Sequence, residues 1–271
     1  DQRERVYGNG LGNLHQFYVR YRDYMAGFRQ RRQACNNNAK NPLKFFFAKV
    51  DIEKCYDRIH QDYLLNLVEA ILSHNSYVVQ TVKLNHANLR NVSSGDNAMR
   101  FKKIVEAIED YQSFHRRDHS MSRKTQNTVF ELIKCCLVDK PKIRQLLREH
   151  LLHHTVVSKG RYEPKLLLQT QGISQGSALS TLLCNLYYGR VEKLMKLDNE
   201  SDLMSRFVDD FLFITPDENS FRQFLDKTHK GKPELGANIN PNKTLVNVKA
   251  SVKIPSNEGG TKSVNLSRSD R

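Results

Sequence analysis

Apolar and polar positions change period several times along the chain. In residues 13–34, Leu14, Phe17, Tyr18, Tyr21, Met25 and Phe28 recur at helical spacing, which predicts a helix. NNNAKNP (36–42) reads as a loop. KFFFAKVDI (44–52) alternates instead. Phe46, Ala48, Val50 and Ile52 fall on one face, and Phe45, Phe47, Lys49 and Asp51 on the other, so Asp51 stands at a strand end. From Gln61, the spacing of Leu64, Leu67, Val68 and Ile71 completes a strand–turn–helix unit. Residues 75–165 mix polar loops such as NVSSGDN with two amphipathic stretches, MRFKKIVEAIEDY and TVFELIKCCLV. Both read as short helices, and the segment as a mostly helical insertion. After residue 166 comes a long apolar-striped helix, ALSTLLCNLYYGRVEKLM, with Ser177 placed to cap it. The apolar runs on either side of Asp209–Asp210 predict a hairpin. SFRQFLDKTHK (220–230) follows as a helix and NKTLVNVKASVKI as strands, and PSNEGGTKSVNLSRSDR reads as a disordered tail. The order is that of an α+β chain, an antiparallel sheet with packed helices.

Composition narrows the picture. With 39% hydrophobic residues among 271, the chain has material for a core of one or two domains. No apolar run reaches the roughly 18 residues of a membrane span. The first residue is Asp1 and no charged-then-apolar leader follows, so no signal peptide is expected, and the sequence reads as part of a longer chain. A formal charge of +14 points to a polyanionic partner. Arg20, Arg22, Arg29, Arg31 and Arg32 load the first helix with cations that fit either a solvated face or phosphate contact. Further basic residues gather at Arg116, Arg117, Arg123, Lys124, Lys140, Lys142, Arg144 and Arg148. Five cysteines without a CxxC pair fit a reducing compartment and argue against a zinc site or disulfide scaffold. His115 and His119 have helical metal-ligand spacing but no carboxylate-rich frame.

The candidate chemistry lies in the carboxylates. Asp209 and Asp210 sit between Phe207–Val208 and Phe211–Ile214, a costly place for like charges unless the turn is wet or cations lie between them. A neighbouring strand ending in Asp51 would bring in a third. Hard oxygen donors suit Mg²⁺, which draws its remaining ligands from water and phosphate. QGISQGS (171–177) sets two glycines ahead of a helix, where the backbone can approach a planar ligand, with Gln171 and Gln175 as polar edges. Lys243, just before a strand, could neutralise and protonate a leaving group.

Taken in order, FFFAKVDIEKCYD, QGISQGSALSTLLCNLYYG, RFVDDFLFITP and GANINPNKTLVNV resemble motifs A, B′, C and D of a reverse transcriptase palm, and in wording those of the telomerase reverse transcriptase family. The wide spacing between motifs A and B′ is similar to that family's insertion in the fingers domain, and RERVYGNGLGN with the basic helix is similar to its motif 3 region. The resemblance covers about residues 1–250. It implies the end of the fingers at 1–42, palm at 43–74 and 166–250, the helical insertion at 75–165, and a tail at 251–271 that stops before the primer grip and thumb. It further implies that Asp51, Asp209 and Asp210 hold two Mg²⁺ ions, with Asp51 and Asp209 the principal ligands. Tyr56 matches the steric gate under the sugar. Gln171, Gly172, Gln175 and Gly176 line the nucleotide and template, and Lys243 is the general acid.

The implied reaction is RNA-directed DNA synthesis at chromosome 3′ ends in the nucleus, with dNTPs, a telomeric DNA primer, an integral telomerase RNA, the remaining telomerase domains and holoenzyme proteins as partners, and no membrane. Ser174 departs from the family's usual proline, motifs 1 and 2 would precede residue 1, and no Trp-Cys-Gly primer grip is present, so the chain alone is expected to be inactive. A Penelope-like retroelement enzyme, or a truncated product that only binds nucleic acid, are the alternatives.

Overall fold

In chain order the elements are α1 (Leu14–Ala34), β1 (Phe46–Asp51), α2 (Gln61–Ile71), β2 (Ser76–His86), β3 (Arg100–Ile108), β4 (Thr128–Asp139), α3 (Lys140–Leu152), β5 (Thr155–Ser158), β6 (Lys165–Leu168), α4 (Ser180–Met195), β7 (Leu203–Phe207), β8 (Asp210–Thr215), α5 (Glu218–Lys230), β9 (Leu245–Val246), β10 (Ala250–Pro255) and β11 (Thr261–Leu266). The structure is a computed structural model and describes residues 6–34, 44–86, 100–108, 128–158, 164–197, 201–255 and 261–266. It divides into two units, Asp1–Leu67 with His154–Arg271, and Val68–His153. The NNNAKNP loop, His115, His119 and the Arg116–Lys124 cluster lie outside the described residues.

In the first unit, β1 lies inside an antiparallel sheet of order β7–β8–β1–β9. Its alternation holds as read: Phe46, Ala48 and Val50 are buried, while Phe47 and Lys49 are exposed. The buried face receives α5, whose Phe221, Phe224, Leu225 and Thr228 form one helical stripe. Phe224 stacks on Phe213 at 4.2 Å, and Phe221 meets Phe46 at 5.5 Å. Each such side chain contributes roughly 1.5–3 kcal/mol by leaving water. The ends of α5 are set locally, since Asp217 accepts the Ser220 N–H at 2.7 Å and Gly231 terminates the helix. Helix α4 lies beneath the β1–α2 connection. Its Tyr188 hydroxyl donates to Cys55 O at 3.0 Å and Tyr187 to Leu235 O at 2.9 Å.

Two sequence expectations need correction here. Ser177 does not cap α4, which starts at Ser180; its hydroxyl oxygen accepts the Leu179 N–H at 3.2 Å and closes a preceding turn. The supposed disordered tail holds a strand. Thr261–Leu266 pairs antiparallel with Ala250–Pro255, and Val252 and Leu266 are buried. Its short alternation is masked by flanking polar residues. Residues 256–260 and 267–271 lie outside the described set.

The second unit overturns the mostly helical insertion. MRFKKIVEAIEDY supplies strand β3 and TVFELIKCCLV strand β4, and both pair antiparallel with β2 in the order β3–β2–β4. The physical reason is pairing. Phe101, Ile104, Val105 and Ile108 fit a helical stripe, but SYVVQTVKLNH is rich in β-branched and aromatic residues and offers both stretches a ladder. A register shift at Thr81/Val82 interrupts the β2–β4 ladder. The unit's described helices are α3, with Pro141 in its first turn, and the end of α2.

Candidate active site

The β1–β8 register sets Asp51 opposite Asp210. Strands β7 and β8 are joined by two residues, Val208 and Asp209, which places Asp209 at the hairpin tip. Val208 has φ of +59°, whereas Asp209 stays outside the left-handed region. A positive φ at the first turn residue alone is the pattern of a primed hairpin turn, whose twist matches its strands. A valine there is strained. The Asp209 carbonyl accepts the Ile52 N–H at 3.1 Å and closes this corner of the sheet. Asp51, Asp209 and Asp210 are thereby gathered at one end of three adjacent chain segments.

Two lysines face this corner. Lys243 lies in the 3₁₀ turn Pro241–Lys243, whose leading Asn240 donates its N–H to Asp51 O at 3.0 Å, so the loop is tied to the strand end it serves. Its Nζ stands 3.1 Å from Asp51 Oδ2. The contact is an ion pair, and it leaves this buried oxygen without a well-directed hydrogen bond. Pairing with Asp51, aided by Asp209 and Asp210, raises the Lys243 ammonium above the ordinary lysine value, so it stays protonated at neutral pH. Lys49 Nζ pairs with Asp210 Oδ2 at 2.9 Å. Burial above all, then repulsion from Asp210 and Asp51, pushes the Asp209 carboxyl above the usual carboxylate range, against the pull of its own N–H and Lys243.

The turn after β1 is stitched to the glycine-bearing loop. Ile173 N donates to Tyr56 O at 2.9 Å and Gly172 N to Ile59 O at 3.0 Å. Gln61 Nε2 donates to Gly172 O at 2.9 Å from its buried place on α2. Gly172 has φ of +75°, and a Cβ on it would come within 2.6 Å of Tyr56 O. Tyr56 and Gly172 are thus brought together. Burial raises the Tyr56 phenol above its ordinary value, partly offset by a bond to Thr181, and Asp209 adds a smaller rise. Gln171, Gln175 and Gly176 are exposed along the same loop. Among the described residues no hydrogen bond ties them to the carboxylates.

Lys49, Gln61, Arg206, whose Nη1 donates to Val208 O at 2.8 Å, and Glu192, paired with Arg206 in the core, join the site without having been singled out by sequence pattern. Lys49 had a signal, since alternation places it on the Asp51 face. Arg206 had one too, as the charge within the otherwise uncharged strand β7, whereas Glu192, between Val191 and Lys193, had none. Gln61 had none.

The donor set fits a hard cation. Asp51 Oδ2 is buried with the Lys243 ammonium beside it but no well-directed hydrogen bond, and three carboxylates meet at the same corner. Among the described residues no three His, Cys, Asp or Glu side chains form a ready-made metal cage.

Similarity to known proteins extends beyond this corner. Residues 128–254 match the reverse transcriptase (RNA-dependent DNA polymerase) family. The telomerase reverse transcriptase of Mus musculus is 32% identical over 213 residues, 75% of this chain and 18% of that protein. The Bos taurus protein is 32% identical over 209 residues, 74% of this chain and 18% of its own. Among solved structures, telomerase from Candida albicans in complex with a TWJ fragment of telomeric RNA aligns with a TM-score of 0.60 at 24% identity, over 90% of this chain and 33% of that one. Apo telomerase from Candida tropicalis gives 0.57 at 20%, over 90% and 34%. The two solved structures bear on the fold, an α+β reverse transcriptase palm. The chain spans less than a fifth of the length of these two curated relatives. The carboxylate corner thus stands in a reverse transcriptase palm fold, on a chain similar along about three quarters of its length to telomerase reverse transcriptases.

Proposed function

We propose that this chain supplies the catalytic palm of an RNA-directed DNA polymerase that extends chromosome 3′ ends in the nucleus, copying an integral telomerase RNA. The observation that carries this reading is the gathering of Asp51, Asp209 and Asp210 at one sheet corner with Lys243 beside them. In this reading residues 43–74 and 166–250 form the palm, 75–165 the insertion, and the polymerase works with the remaining telomerase domains and holoenzyme proteins. The telomerase relatives favour it over a retroelement enzyme.

Asp51 and Asp209 would be the principal holders of two Mg²⁺ ions, with Asp210 completing the set. Such a pair stabilises both the attacking and the leaving oxygen of a phosphoryl transfer. The primer 3′-hydroxyl attacks the α-phosphate of the incoming dNTP, its proton leaves to solvent, and pyrophosphate departs. Lys243, protonated beside Asp51, donates a proton to the departing pyrophosphate. Tyr56, its backbone clamped by the Gly172 loop, lies under the sugar and excludes a 2′-hydroxyl. Gln171, Gly172, Gln175 and Gly176 line the nucleotide and template.

The test is Asp209→Ala in the full-length protein assembled with its RNA. Primer extension is expected to vanish while RNA and primer binding persist. Undiminished extension would overturn the reading, and salt-sensitive binding without extension by the parent enzyme would leave a nucleic-acid-binding product.

A further inference from the structure

We infer that Arg206, locked to Glu192, is the positioning residue that holds the Val208–Asp209 turn, and through it the carboxylate corner; this rests on the polymerase reading above. Both side chains are fully buried. Arg206 Nε donates to Glu192 Oε1. Nη1 donates to Asn185 Oδ1 at 2.9 Å and to Val208 O at 2.8 Å, and Nη2 to Tyr7 O and Asn185 O, each at 3.2 Å. All five N–H donors of the guanidinium are used.

The bond to Val208 O reaches the reacting corner. Val208 sits at φ of +59°, and its carbonyl belongs to the peptide plane that leads into Asp209. Rotation of that plane would convert one turn type into another and swing the Asp209 side chain. Arg206 anchors the carbonyl from inside the core, so the plane has one orientation.

Glu192 holds the other end. Its Oε2 accepts Asn9 N at 2.7 Å and Asn9 Nδ2 at 3.3 Å. The Tyr7–Gly10 segment is docked along β7, with Arg206 N donating to Asn9 O at 2.9 Å and Leu11 N to Arg206 O at 2.8 Å. Close approach makes this possible, since a Cβ on Gly189 would come within 2.4 Å of Tyr7 C. The guanidinium therefore fixes the docked segment, α4 and the catalytic turn to one another. A buried ion pair is a weak source of stability relative to apolar packing. A planar fork that reaches five acceptors at once is a strong source of orientation, and lysine cannot reproduce it.

The test uses the full chain assembled with its RNA and compares Arg206→Lys and Glu192→Gln with the parent and with Phe221→Leu, a core substitution on α5. Mn²⁺ binding in the presence of a non-hydrolysable nucleotide is read from loss of the free-ion paramagnetic resonance signal and normalised to folded protein. Arg206→Lys is expected to weaken Mn²⁺ binding about 10-fold and to lower kcat by ~10²-fold with the primer KM unchanged, the consequence of a misplaced ligand. Glu192→Gln keeps one acceptor for Nε and should weaken Mn²⁺ binding about threefold, roughly half a decade. It decides the matter by the same reading if Arg206→Lys does not fold. Phe221→Leu should lower the melting temperature and leave Mn²⁺ affinity per folded molecule unaltered. Parent-like Mn²⁺ affinity in the arginine and glutamate variants would overturn the positioning role alone. A parent enzyme that neither binds Mn²⁺ nor extends primer would overturn the polymerase reading and this role with it.

Discussion

Lys49 and Asp210 pair at 2.9 Å across the β1–β8 ladder, diagonally beside the Asp51–Asp210 step. Both side chains are more than a third exposed, so solvent screens the pair, and exposed pairs of this kind contribute about 0–1 kcal/mol. The lysine supplies a counter-charge where three carboxylates meet. A double-mutant cycle of Lys49→Met and Asp210→Asn, read by urea unfolding, should therefore give a coupling energy below about 1 kcal/mol. A coupling of several kcal/mol would mean that the pair is shielded from water and structural.

Gly172 and Gly176 both have positive φ, +75° and +92°, but differ in what surrounds them. A Cβ on Gly172 meets Tyr56 O at 2.6 Å and two atoms of Asp57 at 2.7 Å, while one on Gly176 meets nothing within 4 Å. Gly176→Ala should cost only the backbone term of about 1–2 kcal/mol. Gly172→Ala should cost clearly more, because backbone rather than a flexible side-chain end must shift, and it should also relax discrimination against ribonucleotides by moving Tyr56. Equal losses in chemical unfolding would refute the packing argument.

His229 is buried on α5, with Leu225 O 2.8 Å from Nδ1 and Thr244 Oγ1 3.1 Å from Nε2. Burial lowers its pKa below the ordinary imidazole value of 6.5, against smaller upward pulls from Leu225 O and Asp226. The unfolded chain therefore binds the proton first as pH falls. Stability from this residue is complete above about pH 6.5 and declines as pH drops below it, until the folded state also protonates. His229→Gln should flatten the fall of the unfolding free energy as pH drops below about 6.5, relative to the parent. An unchanged slope would assign the acid sensitivity to other groups.

The legible and illegible parts of the molecule separate by how local their causes are. Strand β1, helix α5 and the β7–β8 hairpin follow from periods contained within a few residues, and Asp51 follows from the end of one such period. The β3–β2–β4 sheet does not, because Phe101, Ile104, Val105 and Ile108 satisfy a helical stripe until β2 is present to pair with. Arg206 and Glu192 are 14 residues apart and joined by tertiary packing, and sequence marks only Arg206, as a charge within a strand. Gln61 reaches the carbonyl of Gly172, 111 residues away, and no local pattern announces such a contact.

Val208 offers the most direct test of the turn itself. A β-branched residue in the left-handed region costs about 1–2 kcal/mol, and glycine would remove that strain. Glycine also gives the unfolded chain more freedom, which costs about 0.5–1 kcal/mol. The two effects oppose each other, so Val208→Gly should alter the unfolding free energy by no more than ~1 kcal/mol. Arg206 still holds the residue's carbonyl at 2.8 Å, so the peptide plane keeps its orientation and the loss of kcat should be smaller than in Arg206→Lys. Stability falling by more than ~2 kcal/mol would mean that packing of the valine side chain, not its backbone, dominates at this position.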